Sequence, residues 1–303
     1  MNFEQIPKVQ PVLGRSIGEL LTEQLELKDD LHPWLPGGLT LLGGKTKSGK
    51  STLAEQIAAD ISITENVLYL ALEYNLRMAQ GRFAKFSSAN KVHIVLEGEI
   101  NRIGKGGERQ LENLIRSLKP KLLIIDILAK LKRQNMGSYD AEYQAMTEIK
   151  ELVDKYDMDC LVLTHSGKPT ANDSDDPFDK IIGSTALQGV PDNLMVLTQF
   201  KRHTKLHAKG RLIFPSEKIL NFEGGKYTER TGASAEYEDK APVQALLIRE
   251  LEKLPMTVTE LSDALGRDKG QISNICSSLA KEGKISRSDR TEPWSLVEAS
   301  LLT

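Results

Sequence analysis

Eight residues near the start of the chain have the types and spacing needed to bind a phosphate group. Residues 44–51 read Gly-Lys-Thr-Lys-Ser-Gly-Lys-Ser and match the pattern G-x-x-x-x-G-K-[ST]. In such a loop the backbone N–H groups hold a triphosphate, the lysine contacts its outer phosphates, and the final hydroxyl binds Mg²⁺. The predicted nucleotide-binding residues are Gly44, Lys45, Thr46, Lys47, Ser48, Gly49, Lys50, Ser51 and Thr52.

The flanking residues separate this interpretation from a Gly-rich surface turn. Residues 39–42 form an apolar run of strand length before the loop, and apolar residues recur at helical spacing after it, at Leu53, Ile57, Ala58 and Ile61. A helix that follows the loop directs its positive dipole end at the bound phosphate. The order of strand, loop and helix therefore favours a phosphate-binding loop, with ATP and Mg²⁺ as the expected ligands.

Two carboxylates follow other apolar runs. Asp126 ends the run 122–125, where it would hold Mg²⁺ through water; a strand that merely ends in Asp is the other interpretation. Hydrolysis also needs a base for the attacking water, and Ile127, not Glu, follows Asp126. Glu73 follows the run 67–72. Because the carboxyl ends of parallel strands converge on the ligand, Glu73 is the predicted base; a carboxylate that caps the next helix is the alternative.

These residues need a scaffold in which strands and helices alternate. The predicted strands are 39–42, 67–72, 92–96, 122–125, 160–164, 194–198 and 212–214, and helices are expected at about 50–62, 76–88, 107–119 and 141–156. Several of the strands are continuous apolar runs, which is typical of buried parallel strands. The sequence therefore predicts an α/β fold with a mostly parallel sheet flanked by helices.

Composition divides the chain into four parts. Residues 1–35 form an N-terminal arm with one helix, and 36–225 form the α/β domain. Residues 226–240 are small and polar, as in a linker. Residues 241–303 contain helical patterns at about 242–254, 257–265 and 269–282, followed by a hairpin that ends near Trp294. Three helices and a two-stranded wing form the plan of a winged helix-turn-helix domain.

The order of motifs resembles a known group. A phosphate-binding loop, then Glu73 after the next strand, then Asp126 after an apolar strand is similar to the RecA-like ATPases. Within them, the chain resembles the hexameric replicative helicases of the plasmid RepA and DnaB-like, AAA_25-type group. The stretch Leu70-Ala71-Leu72-Glu73, followed by Arg77 and Arg82, also resembles that group. The resemblance covers about residues 30–225.

The resemblance implies further site residues. His165, after the strand at 160–164, would sense the γ-phosphate; a structural histidine is the alternative. Lys209 and Arg211 match a Lys-x-Arg pair with which such rings reach the neighbouring subunit's nucleotide; the alternative is a solvated hairpin charge. If the pair acts in this way, hydrolysis requires a homo-oligomeric ring or filament, and a hexameric ring is expected.

Contacts to single-stranded or forked DNA are expected at basic residues, namely Lys132, Arg133, Lys168, Lys180, Lys201, Arg202, Lys284 and Arg287. The predicted second channel loop, between His165 and Gly183, opposes this expectation, because Asp173, Asp175, Asp176 and Asp179 would repel a phosphate backbone. Residues 240–303 contain nine basic and nine acidic residues. The winged helix could therefore bind DNA or dock replication proteins.

Bulk properties narrow the classes further. The 303 residues carry a net charge of −2, which excludes a wholly polybasic nucleic-acid binder. Cys160 and Cys276 lie in apolar contexts and are expected to be buried free thiols in a reducing compartment. The N-terminus lacks a signal-peptide pattern, and no apolar run approaches 18 residues. We therefore expect a cytoplasmic protein that does not contact the membrane.

Three hypotheses follow for function. The leading one is an ATP-driven ring that moves on single-stranded DNA as a replicative helicase of a plasmid, phage or other mobile element. The second is a RecA-like ATPase that acts as a recombination mediator or replication regulator without unwinding DNA. In the third, a DNA-binding regulator uses the winged helix, and ATP only sets its oligomeric state.

Overall fold

The computed structural model describes residues 14–22, 29–86, 88–133, 138–165, 176–179, 188–200, 203–211, 213–230, 242–289 and 292–297. The helices are α1 (Ile17–Thr22), α2 (Lys50–Ile61), α3 (Leu76–Phe83), α4 (Gly107–Leu118), α5 (Leu128–Leu131), α6 (Ser138–Tyr156), α7 (Pro242–Lys253), α8 (Val258–Leu265) and α9 (Lys269–Lys281). The strands are β1 (Leu39–Gly43), β2 (Val67–Ala71), β3 (Val92–Leu96), β4 (Leu122–Asp126), β5 (Asp159–Leu163), β6 (Asn193–Gln199), β7 (Thr204–Gly210), β8 (Ser216–Glu223), β9 (Lys226–Arg230), β10 (Ile285–Ser286) and β11 (Ser295–Leu296).

One sheet contains β1 to β9, in the order β3-β2-β4-β5-β1-β6-β7-β8-β9. Neighbouring strands from β3 to β6 are parallel, and those from β6 to β9 are antiparallel. The prediction of an α/β fold with a mostly parallel sheet is confirmed. The predicted strands between residues 39 and 198 match the observed strands to within one residue at each end.

The central strands are buried on both faces, which explains their continuous apolar sequences. Every residue of β1, β2, β4 and β5 is buried. Because side chains alternate along a strand, Leu39 and Leu41 pack into the core on one face and Leu42 packs into the core on the other. Helices α4 and α6 contribute to the first core, and α2 contributes to the second.

Two predictions about the sheet were wrong. Residues 213–214 are not a strand, and Phe214 is 93% exposed in the connection between β7 and β8. Residues 226–230 are not a linker but strand β9, which pairs with β8. Gly224 and Gly225 both have positive φ, at 59° and 83°, and form the two-residue turn between these strands. The rest of the predicted linker lies outside the described residues.

Residues 242–297 contain three helices and the antiparallel pair β10–β11, around an apolar cluster that includes Leu247, Ile272 and Trp294. Thr257 caps α8 in a capping box with Glu260, and Gly266 ends this helix in the left-handed conformation. These elements match the order expected of a winged helix, and the identity of this domain stays a prediction. Among the described helices, none combines the length and apolar composition needed to cross a membrane.

Candidate functional site

The predicted phosphate-binding loop connects β1 to α2, as its flanking residues indicated. Gly49 is the N-cap of α2, with φ of 92°, and no side chain caps this end of the helix. The N–H groups of a helix's first turn have no partner within the helix, and they lie at its positive dipole end. This end of α2 therefore presents donors suited to a phosphate group.

Two glycines of the loop are required by close contacts. A Cβ atom on Gly44 would lie 2.8 Å from the carbonyl oxygen of Leu197 and 2.8 Å from Ser48 Oγ. A Cβ atom on Gly49 would lie 2.0 Å from the hydroxyl of Tyr227 on β9. The antiparallel hairpin that sequence reasoning missed thus packs directly against the loop.

Lys50 is folded back onto the loop that precedes it. Its Nζ atom donates to the carbonyl oxygens of Gly44, at 2.7 Å, and Lys45, at 2.9 Å. Burial lowers the pKa of Lys50, and the nearby carboxylates of Asp126 and Glu73 oppose that shift. The ammonium group therefore contacts the phosphate-binding loop and lies within electrostatic range of the two predicted acidic residues.

Asp126 ends β4 in a buried network of hydroxyl groups. Its Oδ2 atom accepts a hydrogen bond from the Tyr69 hydroxyl at 3.0 Å, and the Tyr74 hydroxyl oxygen lies 3.4 Å from it. Ser51 also hydrogen-bonds this carboxylate. Burial raises the pKa of Asp126, and the hydrogen bonds from Ser51 and Tyr69 oppose the shift. The two residues predicted to serve the metal are therefore in direct contact.

A cavity of about 390 Å³ brings together the predicted phosphate-binding, metal-binding and catalytic residues of the α/β core. Glu73 and His165 are both exposed and line it with the loop and Asp126. The sheet explains this convergence, because β2 and β5 are the neighbours of β4. The Thr164 N–H group also donates to Leu42 at 3.0 Å, which ties the start of the His165 segment to β1. The roles of Glu73 as the base and His165 as the γ-phosphate sensor stay predictions.

Arg82 also lines this cavity, and sequence reasoning gave it no role there. Its Nη2 atom donates to Thr52 Oγ1 at 3.1 Å, and its Nε atom donates to the fully buried carboxylate of Glu55. Tyr74 also donates to Glu55, at 2.9 Å. The helical pattern that follows Glu73 could have indicated this position, because it puts Arg82 on the helix beside the site.

Lys209 and Arg211 lie at the opposite edge of the sheet from the loop of their own chain. Strand β7 runs antiparallel to β6, and Gly210 pairs with Asn193, which in turn pairs with Thr40 near the start of β1. The phosphate-binding loop follows the other end of β1. The structure therefore does not bring this pair into the cavity that contains Lys50 and Glu73.

The described DNA-contact candidates form contacts within the chain. Lys132 pairs with Glu142 at 2.7 Å, and Arg133 pairs with Glu148 at 2.9 Å, both on α6. Arg287 stacks on Trp294, 4.2 Å from the ring centroid, and Lys284 follows α9. The other candidates, Lys168, Lys180, Lys201 and Arg202, lie outside the described residues.

Comparison with known families agrees with the geometry of this site. The AAA_25 family, described as an AAA domain, matches residues 8–171, which include the phosphate-binding loop, Glu73, Asp126 and His165. The match extends over more than half of the chain. The chain belongs to the AAA_25 family. No curated protein sequence matches this AAA_25 protein.

Solved structures resemble the α/β part of this AAA_25 protein. An ATPase domain superposes with a TM-score of 0.53 at 16% identity, over 64% of this chain and 85% of that domain. A DnaB-like replicative helicase, solved to show its interactions with primase, gives a TM-score of 0.53 at 14% identity. That match covers 63% of this chain and 58% of the helicase, so this chain spans less than two thirds of it. These likenesses establish a RecA-like fold.

The AAA_25 protein has the donors that an ATP–Mg²⁺ complex requires. The Ser51 hydroxyl is available for the metal, and Asp126 is beside it to hold a metal-bound water. Ser48 Oγ is buried in the loop without a hydrogen-bond partner among the described residues, which suits a ligand that brings acceptor oxygens. This donor set fits an ATPase.

The two cysteines are buried and free, as predicted.

Proposed function

We propose that this AAA_25 protein is the subunit of a hexameric ring that hydrolyses ATP to move along single-stranded DNA. It would act as a replicative helicase of a plasmid, phage or other mobile element, in the cytoplasm. The observation that carries the proposal is the separation of the site residues. Lys50, Ser51, Glu73, Asp126 and His165 belong to one edge of the sheet, and Lys209 and Arg211 belong to the other.

In the proposed reaction, the loop and Lys50 hold the β- and γ-phosphates of ATP. Glu73 orients a water molecule and accepts its proton, while the water oxygen bonds to the γ-phosphorus and the bond to the bridging oxygen breaks. His165 contacts the γ-phosphate. Mg²⁺, when bound, neutralises charge on the phosphate oxygens. The exposure of Glu73 at the cavity suits this role, because the base must reach a water molecule.

Lys209 and Arg211 would stabilise the transition state on the neighbouring subunit's ATP. An arginine supplied in this way contributes about 10³–10⁵ in rate in comparable enzymes. A contact between opposite edges of successive copies is heterologous, and such contacts form a ring when the rotation between copies closes. Phe214, three residues beyond Arg211, is 93% exposed, which suits a surface that another copy covers.

The structural neighbours support the same assignment. They are an ATPase domain and a DnaB-like replicative helicase that interacts with primase. By analogy, residues 241–303 would dock a replication protein or contact the DNA. Single-stranded or forked DNA would pass along the subunits' basic loops.

A second candidate function is favoured by the ion pairs of Lys132 and Arg133. Both cations are neutralised by carboxylates on α6, which weakens the case for a DNA grip at this position. A recombination mediator, a replication regulator or a DNA-binding regulator that uses the winged helix would fit this observation. In each of them, ATP would control assembly without driving unwinding.

A strand-displacement assay separates these proposals. Wild-type protein, Lys50→Ala and Arg211→Ala would be mixed with ATP and a forked duplex, and duplex binding would be measured in parallel. The motor predicts unwinding by the wild type and loss of unwinding in both variants. ATP-dependent binding to DNA without unwinding by the wild type would instead favour an assembly switch.

A further inference from the structure

One face of β7 carries a row of basic residues that contact acidic residues of the same chain. Lys205, His207 and Lys209 alternate along the strand and share this face, and Arg211 continues the series. Lys205 and His207 contact Glu217 at 2.8 and 3.3 Å. Lys209 and Arg211 instead contact acids from the segments that precede β6.

Arg211 is held by three contacts. Its Nη1 atom lies 3.5 Å from Asp192 Oδ1, its Nη2 atom donates to the Gly189 carbonyl at 2.7 Å, and its backbone N–H donates to the Asp192 carbonyl at 3.0 Å. A guanidinium group in this position already has an anionic partner and a carbonyl acceptor. It must leave them to bind a phosphate of another subunit.

Asp192 is itself fixed to the start of β1. Its Oδ2 atom accepts a hydrogen bond from the Leu39 N–H group at 2.9 Å and pairs with Lys150 of α6 at 2.9 Å. Its own N–H group donates to the Leu39 carbonyl at 2.8 Å. The partner of Arg211 is therefore anchored to the strand whose far end becomes the phosphate-binding loop.

Lys209 has a corresponding partner in the acidic segment. Its Nζ atom lies 3.4 Å from Asp176 Oδ2 and 4.2 Å from the centroid of the Phe178 ring. The other carboxylate oxygen of Asp176 accepts from the Phe178 N–H group at 2.8 Å, which fixes the orientation of the acid. Asp176 is one of the acids that opposed DNA binding at the predicted second channel loop. In this structure the negative charge of Asp176 instead pairs with Lys209.

We propose that Asp176 and Asp192 are positioning residues that hold Lys209 and Arg211 back from the neighbouring subunit's nucleotide. The inference rests on the proposed function, because it assumes that the Lys-x-Arg pair acts between subunits. Both ion pairs are partly exposed, and such pairs are weak. The several negative charges of ATP can therefore displace the two aspartates. DNA bound near Asp176 would also weaken its hold on Lys209, which links DNA binding to hydrolysis.

The test compares steady-state ATP hydrolysis in Asp176→Asn and Asp192→Asn with the wild type, with and without poly(dT). Removing either charge should raise the DNA-free kcat about two- to fivefold and reduce the stimulation by poly(dT). The amide introduced by Asp192→Asn would keep an oxygen that accepts from Leu39. Glu217→Gln is the matched control, because Glu217 pairs on the same face of β7 without contacting Lys209 or Arg211. Its DNA-free rate should not change.

An unchanged or lower DNA-free rate in folded Asp176→Asn and Asp192→Asn would overturn the inference, since a purely structural role predicts no gain. If Asp192→Asn does not fold, Asp176→Asn decides the result, because Asp176 lies in a surface turn with a side chain that is 43% exposed. Combining Asp192→Asn with Arg211→Ala should abolish the gain. If Arg211→Ala alone retains the full kcat, the proposed function fails. If Arg211→Ala is inactive but the aspartate variants show no gain, only the present inference fails.

Discussion

At the scale of single residues, the two carboxylates of the site differ in their surroundings. Asp126 is 2% exposed and accepts hydrogen bonds from hydroxyl groups, whereas Glu73 is exposed at the same cavity. Burial and hydrogen bonds can hold a carboxylate that binds a metal-bound water in one position. A general base must instead reach the attacking water molecule and the substrate. Burial therefore supports the division of roles that we propose.

Glu73→Gln tests the assignment of the base. The amide keeps the size of the side chain but cannot accept the proton of the attacking water. We expect kcat for ATP hydrolysis to fall by about 10²–10⁴, with nucleotide affinity nearly unchanged. Glu97→Gln is a suitable control, because Glu97 is an exposed carboxylate that pairs with Lys130 outside the cavity. A Glu73→Gln variant with wild-type kcat would remove Glu73 from the mechanism.

Asp126→Asn should separate function from stability. Burial raises the pKa of Asp126, so the folded chain retains a proton that the unfolded chain releases. The free energy of unfolding of the wild type therefore falls as pH rises from about 3.9 through the raised pKa. At pH 7 the free energy of unfolding of Asp126→Asn should be about 0.5–2 kcal/mol higher than that of the wild type, which is the usual range for a stabilising substitution. The variant should lose Mg²⁺-dependent hydrolysis.

Thermal unfolding measured across pH checks this prediction. The stability difference between Asp126→Asn and the wild type should shrink as the pH falls through the raised pKa of Asp126, because the wild-type carboxyl group is then neutral as well. A variant less stable than the wild type at pH 7 would mean that the hydrogen bonds to the charged carboxylate outweigh the effect of burial.

At the scale of secondary-structure elements, the contact between the β8–β9 hairpin and α2 supports the phosphate-binding loop. Tyr227 donates its N–H group to Gln56 Oε1 at 2.7 Å, and its carbonyl oxygen accepts from Gln56 Nε2 at 2.9 Å. This pairing covers the outer edge of β9 with a side chain of α2. It also holds the Tyr227 hydroxyl against Gly49.

Gly49→Ala tests this contact against a matched glycine. Both Gly49 and Gly98 have positive φ, at 92° and 85°, but a Cβ atom at Gly98 has no neighbour within 4 Å among the described residues. Gly98→Ala should therefore lose only the backbone preference, about 1 kcal/mol. Gly49→Ala should lose more, about 1–3 kcal/mol, together with nucleotide binding. If chemical denaturation gave the same loss of unfolding free energy for both variants, Tyr227 would be able to move away from the new methyl group at no cost in stability.

The elements that could be predicted from the sequence are those whose burial produces a simple pattern of apolar residues. Strands β1, β2, β4 and β5 are covered on both faces, so their sequences are continuous apolar runs with clear limits. The antiparallel strands β8 and β9 are partly exposed and charged, and their Gly-Gly turn has the composition of a linker. The contacts of Tyr227 with α2 join residues far apart in sequence and left no local signal.

At the site, the residues that follow buried strands were predictable from sequence, and those placed by packing were not. Glu73, Asp126 and the loop each follow a buried strand, so the topology of a parallel sheet was enough to bring them together. Arg82 was missed because its position depends on the packing of α3 and on its contact with buried Glu55. The partners of Lys209 and Arg211 could not be found either, since Asp176 and Asp192 come from separate segments.

At the scale of the whole molecule, the sheet separates the two halves of the proposed site. The phosphate-binding loop lies at the edge where the parallel strands end, and Arg211 lies at the edge where they begin. If Arg211 acts on ATP as we propose, one copy cannot complete its own site in this arrangement. We therefore propose that hydrolysis occurs at the contact between two copies.

Mixing two inactive variants shows whether two copies share one catalytic site. Lys50→Ala lacks a functional nucleotide site but supplies Arg211, and Arg211→Ala lacks the arginine but supplies a complete loop. Each variant alone should hydrolyse ATP at a small fraction of the wild-type rate. In a random equal mixture about one interface in four joins an intact loop to an intact arginine, so the mixture should recover roughly a quarter of wild-type activity. A mixture no more active than the mean of its components would contradict a site shared between subunits.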